Sequence, residues 1–467
     1  MPYIAHSSSS GPTAHPLGAA EGTLPLGRAS IVVQKFGGSS VADATAIRRV
    51  ARRVLQTHQS GHPVVVVVSA MGDTTDELLD LAARVTDTPK ARELDLLLSS
   101  GEHVSASLLA LALADLGARA RTFTGADTGL LTDDTHGTAH VVSVDPRRIR
   151  AAIERGEIPI VAGFQGRSRR TREVTTLGRG GSDITAIALA AALNASVCEI
   201  FTDVDGVFTA DPRVVPTARK IDTISSEAML ELAACGAKIL HVRCVEYARR
   251  FGVTLHVRSS FTPGEGTVVL PGAPAVLVDP TGKAPEDGIV SAIAVERSTA
   301  KITLGGVPDV TAAAALLAGV AARARLRIDM VVQRPAAGDG DHASIAFTVP
   351  AADGRHVMDE LATRRPVARF RSLHYDDRVG ILSLVGHGIR HDAALSSRFF
   401  RSLAEAGVNI DVISACESRV SVMVDEGSLD VACEALARAF PGGPPRDRQP
   451  GRAPSHAAGR IHAPAAG

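Results

Sequence analysis

The chain alternates compact apolar runs with longer stretches in which apolar residues recur every three or four positions. Ile31–Gln34, Val64–Val68, Ile158–Ala162, Val197–Phe201 and Thr254–Val257 are short and rich in β-branched residues, which predicts strands. Val41 to Leu55 carries Val41, Ile47, Val50 and Val54 at helical spacing. Leu78 to Val85, Leu94 to Leu116, Asp183 to Leu193 (ending at Asn194) and Met229 to Leu240 also read as helices. The β-branched run Val64–Val68 reads as a buried strand. The pattern therefore predicts an α/β domain over residues 30–262, with a mostly parallel sheet and helices on both faces.

A Pro- and Gly-rich stretch, 263–288, interrupts this rhythm and reads as a linker. Beyond it the chain repeats itself. Lys301–Gly305 and Leu382–Gly386 are each a strand ending in glycine, followed by a helix and a new strand start at Leu326–Asp329 and Val408–Asp411. A second strand (Ser344–Val349; Val420–Val424) and a second helix complete each half. The repeat predicts two ferredoxin-type βαββαβ units, 289–374 and 375–440. Such paired units either bind small molecules between them or serve only to stabilise and dimerise. Residues 1–29 and 441–467 are rich in small residues and proline without periodicity, and are expected to be a disordered extension and a disordered tail.

Composition narrows the function classes. The 467 residues include 50 basic and 50 acidic side chains, so no net field points to nucleic acid or a membrane surface. No apolar run approaches the roughly 20 residues of a spanning helix. No basic start precedes a continuous apolar stretch, so a secretory signal is not expected. Five cysteines lack metal-ligand or redox spacing and read as free thiols in a reducing cytoplasm. With no Trp and 3% aromatics, the core must be aliphatic.

Two glycine-rich turns carry the candidate chemistry. Lys35-Phe36-Gly37-Gly38-Ser39-Ser40 lies between the first strand and the first helix, where glycines let backbone amides approach a phosphate and Lys35 can meet a transferring phosphoryl group. Taken alone, Gly-Gly after a strand is also a plain turn, and the P-loop spacing is missing. Thr176 to Asp183 is the second turn, in which Arg179 can clamp a carboxylate bidentately and Asp183 is either functional or a helix cap. Phe201 to Arg213 is a carboxylate-bearing loop after a strand: a polar turn, or a nucleotide site with Arg213 near phosphates and Asp203 organising Mg²⁺. Glu102, read at the head of a helix, either complements its dipole or pairs with a substrate ammonium, and His103 reads as structural. No His/Cys metal cluster and no nucleophile elbow appear in the sequence.

Six spaced motifs together resemble the bacterial aspartate kinases, most closely the actinobacterial type. They are Lys35 to Ser40, Ser69 to Asp76, Val161 to Gly166, Thr176 to Asp183, Thr202 to Val207 and Gly236 to Leu240, and the likeness spans about residues 30–440. The resemblance implies an amino acid kinase fold followed by two ACT-like domains, and ATP-dependent phosphorylation of the L-aspartate side chain with Mg²⁺. It also implies roles. Lys35 and Asp183 act at the transfer centre. Arg179 with Gly180, Gly181 and Ser182, Glu102, Ser39 and Thr75 hold aspartate. Lys35, Phe36, Gly37, Gly38, Thr202, Asp203, Phe208, Arg213, Lys238 and Ile239 hold ATP. Phe208 stands where the family usually has Tyr. The implied product is 4-phospho-L-aspartate, at the start of lysine, threonine and methionine synthesis, with lysine and threonine as candidate effectors and a homodimer or larger assembly through the ACT pair. A glutamate- or acetylglutamate-type carboxylate kinase and a catalytically silent amino-acid sensor are the rival readings. The Gly-Arg-Gly-Gly-Ser-Asp turn and the intact Lys35, Arg179 and Asp183 argue against them.

The likeness weakens at the effector turns. Gly306-Val307-Pro308-Asp309-Val310 and Gly388-Ile389-Arg390-His391-Asp392 lack the usual form, and Arg327 stands where the family has Asn, although Asn409-Ile410-Asp411 is kept. Either feedback by lysine and threonine is weakened or retuned, or these surface loops have drifted with inhibition intact.

Overall fold

The structure, a computed structural model, describes residues 30–441 apart from 126, 238, 273–289, 325, 327, 329, 335–342, 387–388, 390–391 and 417. The expected extension 1–29, nearly all of the tail 441–467 and the greater part of the linker 263–288 lie outside the described residues.

An eight-stranded sheet organises the first half. Its order is Thr223–Ser225, Thr267–Leu270, Leu255–Ser259, Val197–Thr202, Val32–Phe36, Val64–Val68, Ile158–Ala162 and Ala120–Phe123. All neighbours are parallel except Leu255–Ser259 with Thr267–Leu270. The all-valine strand explains the two-sided cover. Val64, Val66 and Val68 face a core built with helices Ala44–Gln59 and Ala91–Asp115, through Ile47, Val50, Leu109 and Leu113. Val65 and Val67 face the opposite core with Ile184, Ile187 and Val245 from helices Gly181–Leu193 and Val242–Phe251. Burying such a strand on both sides stabilises each valine by roughly 1.5–3 kcal/mol relative to exposure.

Several boundaries differ from the sequence reading. The first strand runs to Phe36, so Lys35 belongs to it and pairs in register with Val67 and Ile200. The turn after it opens a four-residue 3₁₀ segment, Gly38–Val41, and the long helix starts only at Ala44, capped by Asp43 accepting from the Ala46 amide at 2.8 Å. A single helix over Met229 to Leu240 is not formed. Helix Ser226–Ala234 stops before Gly236, whose φ of +92° suits glycine, and a separate helix begins at Val242. Thr267–Leu270, inside the expected linker, is a strand of the main sheet. A four-stranded sheet of Val141–Val144, Leu130–Thr132, Gln165–Ser168 and Val174–Thr176 had no sequence signal, because its strands are only three or four residues long.

Among the described residues, one helix, Ala91–Asp115, is long and apolar enough to cross a membrane. Polar residues punctuate it, so it is not a continuous apolar run in the sequence. Those residues, Asp95, Ser99 and Glu102, are buried inside the fold, which is the pattern of a core helix.

The second half forms one six-stranded antiparallel sheet, in the order Val331–Arg334, Ala343–Pro350, Val290–Val307, Ser372–Gly386, Arg419–Asp425 and Val412–Ala415. The repeat is present, but a cut at 374/375 does not separate its halves. Each long central strand serves both. Ala292 to Glu296 pair with Ile381 to Val385 in the second core, while Ala300 to Leu304 pair with Ile345 to Val349 in the first. Only the glycine-ended portions of these strands carry a sequence signal, because bulges near Glu296–Lys301 break the alternation.

Candidate active site

The adjacent parallel strands Val197–Thr202, Val32–Phe36, Val64–Val68 and Ile158–Ala162 deliver their carboxyl ends to one edge, and the turns that follow pack on one another. This is where open α/β sheets bind ligands. The Gly37–Gly38 turn lies against Ala70–Gly72: Gly72 donates to the Gly38 carbonyl at 3.1 Å, and a Cβ on Gly38 would stand 2.7 Å from the Gly72 carbonyl oxygen. Gly163 packs on Ser182 so closely that a Cβ there would lie 2.8 Å from the serine side chain. Close backbone approach, rather than positive φ, is why glycine is needed at Gly38 and Gly163.

Lys35 and Asp183 meet at the centre. Nζ lies 2.6 Å from Oδ1, with the side chains 11% and 14% exposed. Asp183 is the third residue of its helix, whose cap position is the backbone of Gly180, so the reading of Asp183 as a mere helix cap does not hold. A Cβ on Gly37 would be 3.6 Å from Lys35 Nζ, so the two glycine turns open onto the same lysine. The Gly37 amide donates to the Phe201 carbonyl at 3.2 Å, and Phe36 stacks on Phe201 with centroids 4.7 Å apart. The 3₁₀ segment here has little macrodipole, contrary to the expectation of a long helix opening at this turn.

Glu102 sits in the middle of helix Ala91–Asp115, not at its head, so it cannot complement a helix N-terminus. Its Oε1 accepts from the Ala70 amide at 3.1 Å, while Oε2 is buried with no hydrogen-bond partner in the chain. Burial pushes the carboxyl up to about 7, against the lowering effect of the backbone amides. Thr75 is half-buried in the first turn of helix Thr74–Val85, and Ser39 is exposed on the glycine turn. His103 is spent on Gln165, Nε2 to Oε1 at 3.0 Å, as a structural histidine would be.

Arg179 is exposed at the tip of a turn fixed by left-handed Gly178 (φ +75°) and Gly180 (φ +71°). Residues that the sequence reading did not single out hold this turn. Arg243 donates to the carbonyls of Leu177 (2.7 Å) and Ala139 (3.1 Å), and Cys244 donates its thiol to the Gly180 carbonyl at 3.4 Å. Asp95 accepts from Thr176 Oγ1 at 2.5 Å. The one signal for Asp95 is a charged residue on the buried stripe of its helix; Arg243 gives none. Burial raises the thiols of Cys198 and Cys244 well above the usual range, which suits packing rather than nucleophilic roles.

The loop expected to hold a nucleotide is more spread out. Thr202 ends the strand beside Phe201 and donates to Asp203, which is exposed. Phe208 belongs to a two-stranded ribbon with Lys220–Ile221, and Arg213 is turned onto Asp211 at 2.8 Å. Ile239 packs against the main core, and Lys238 lies outside the described residues. The geometry thus brings together Lys35, Gly37, Gly38 and Asp183; it gives Arg213 an internal partner. The Gly236 turn packs directly on the C-terminal sheet, since a Cβ there would collide with Glu296, and Arg419 of the same sheet reaches Cys235 at 3.4 Å.

Residues 30–259 match the amino acid kinase family, and residues 382–440 match an ACT domain. An aspartokinase of Mycolicibacterium smegmatis is 50% identical over 411 residues, covering 88% of this chain and 96% of that one. The solved structure of E. coli aspartokinase III in complex with aspartate and ADP (R-state) is 25% identical, covers 88% of this chain and 99% of that one, and superposes with a TM-score of 0.69. The same enzyme in complex with lysine and aspartate (T-state) superposes with a TM-score of 0.68 at 25% identity, over 88% of this chain and 99% of that one.

Proposed function

The chain belongs to the aspartokinases of the amino acid kinase family, and from that premise we propose how its residues divide the work of passing a phosphoryl group from ATP to the side-chain carboxylate of L-aspartate. The product is 4-phospho-L-aspartate. The acceptor oxygen is ionised at neutral pH, so no strong base is required. The difficulty is bringing two anions together, and cationic and amide groups lower that barrier.

Lys35 neutralises the transferring group, and Asp183 holds the lysine ammonium in place. The amides of Gly38 and Ser39 cradle phosphate oxygens. Arg179 binds an aspartate carboxylate; Glu102, whose buried Oε2 has no partner of its own, takes the ammonium. Ser182, Gly180, Gly181 and Thr75 line the same pocket. Phe36, Thr202, Phe208, Lys238 and Ile239 border the nucleotide, and Arg213 reaches its phosphates only by leaving Asp211. Asp203, an exposed carboxylate of this loop, would help hold Mg²⁺ beside the nucleotide, where the ion would supply charge neutralisation.

The observation that carries this reading is the 2.6 Å Lys35–Asp183 pair flanked by both glycine turns. A hydroxamate assay with ATP and Mg²⁺ tests it: turnover with aspartate is expected, and equal turnover with glutamate or acetylglutamate would displace aspartate as the substrate. Amino-acid feedback through the C-terminal units belongs to the same reading, in a weakened form, as does a homo-oligomer formed through their sheet, whose edge strands expose Val331 and Ile413. Four buried free thiols fit a reducing cytoplasm.

A further inference from the structure

The helix that carries Glu102 also carries Asp95, seven positions earlier. Two turns separate them, so they share one face about 10 Å apart along the axis. Asp95 is 1% exposed, and its carboxylate accepts hydrogen bonds from three residues on two other segments. Gly137 donates its amide to both oxygens at 3.0 and 3.2 Å, His136 Nδ1 lies 2.6 Å from Oδ2, and Thr176 Oγ1 lies 2.5 Å from Oδ1. On its far side His136 faces Glu173 at 3.8 Å, and Glu173 is tied to Arg92 at 2.7 Å, on the same helix as Asp95. The segment held through Gly137 lies directly under the substrate turn: a Cβ on Gly178 would be 3.0 Å from the Gly137 carbonyl oxygen. Arg179 follows immediately.

We propose that Asp95 is a positioning residue that sets the distance between the ammonium and carboxylate ends of the amino-acid site. This rests on the reading that Glu102 and Arg179 hold those ends. One rigid helix bears Glu102 directly and fixes the Arg179 turn through Asp95, on one side through Thr176 and on the other through Gly137. A buried carboxylate is a costly way to hold two segments together. Its return is direction, because three donors converge on two oxygens and hold the turn in one placement. Arg243 joins the Ala139 and Leu177 carbonyls of the same two segments independently, so they keep one link when a donor to Asp95 is lost.

The test is steady-state kinetics of Thr176→Val, Asp95→Asn and Arg179→Ala in the full chain. Thr176→Val keeps the shape of the side chain and removes one donor, so it carries the test even if Asp95→Asn folds poorly. We expect Thr176→Val to raise the aspartate KM about tenfold, with the ATP KM within about twofold and the thermal midpoint retained, because small misplacements of a clamp are expensive. Asp95→Asn, which keeps an acceptor for Thr176, should shift the same constant by a similar factor. An unchanged aspartate KM in folded Thr176→Val, or both KM values rising together, overturns the positioning role. Arg179→Ala separates the levels: an unchanged aspartate KM there would refute the site assignment itself, whereas a raised KM there beside an unchanged one in Thr176→Val refutes only the role of Asp95.

Discussion

Lys35 Nζ and Asp183 Oδ1, from the carboxyl end of the first strand and the first turn of helix Gly181–Leu193, lie 2.6 Å apart with little exposure to solvent. The pair joins the strand end that leads into one glycine turn to the helix that begins at the other. In a partly buried pair, losing one member leaves the other unpaired, at a cost of about 3–5 kcal/mol.

Lys35→Ala is therefore expected to lower kcat by at least about a hundredfold to a thousandfold, the scale of one preorganised charge-stabilising donor. Its stability should also fall, and the double variant Lys35→Met with Asp183→Asn should recover part of that loss. Turnover with aspartate and ATP, together with urea unfolding, checks both. Near-native turnover in Lys35→Ala would remove the lysine from the chemistry.

Glu102 predicts a pH dependence. Its carboxyl is raised from 4.5 to about 7 in the fold, so the folded protein keeps a proton that the unfolded chain releases. As pH rises from about 4.5 to 7, unfolding becomes easier by on the order of 3 kcal/mol from this group alone, and the penalty is complete above 7. Glu102→Gln should be more stable than the parent at pH 8 and equal to it near pH 4. Only ionised Glu102 pairs with an ammonium, so kcat/KM for aspartate should fall tenfold per pH unit below about 7, with kcat less affected, since bound substrate lowers that pKa. A flat kcat/KM profile between pH 5.5 and 8 would remove Glu102 from ammonium binding.

Glycine substitutions should separate close packing from backbone strain. Gly61→Ala has a positive φ (+94°) but open space around it, and should cost about 1 kcal/mol with normal kinetics. Gly180→Ala combines φ +71° with a Cβ 2.8 Å from His241 and 3.0 Å from the Cys244 sulfur, and should cost about 2–4 kcal/mol while raising the aspartate KM. Equal losses in the two variants, read by thermal unfolding, would show that the packing around Gly180 is unimportant.

Feedback is the remaining kinetic question. Arg327 stands where the resembled family has Asn, and it lies outside the described residues. Initial rates should fall by less than about half with millimolar lysine plus threonine, the coupling energy being a small part of the usual 1–3 kcal/mol. Strong concerted inhibition would show that the altered turns are neutral.

Sequence alone determined the periodic elements, the parallel α/β class, the repeated second half and the two glycine turns with Lys35, Arg179 and Asp183. These are properties of neighbours along the chain: residue spacing sets which face is apolar, and glycine marks where backbone must come close. Tertiary structure decided the rest. Asp183 is a partner for Lys35 and not a helix cap because a strand end and a helix start, 148 positions apart, converge at one sheet edge. Glu102 lies mid-helix with its carboxyl raised by burial, and burial depends on what packs against a helix, which spacing cannot reveal. Asp95 and Arg243 support the Arg179 turn through hydrogen bonds to residues distant in sequence, a connection that leaves no local pattern. The two C-terminal halves share their central strands because an 18-residue strand is long enough to serve two cores, and the chain's own order hid that exchange.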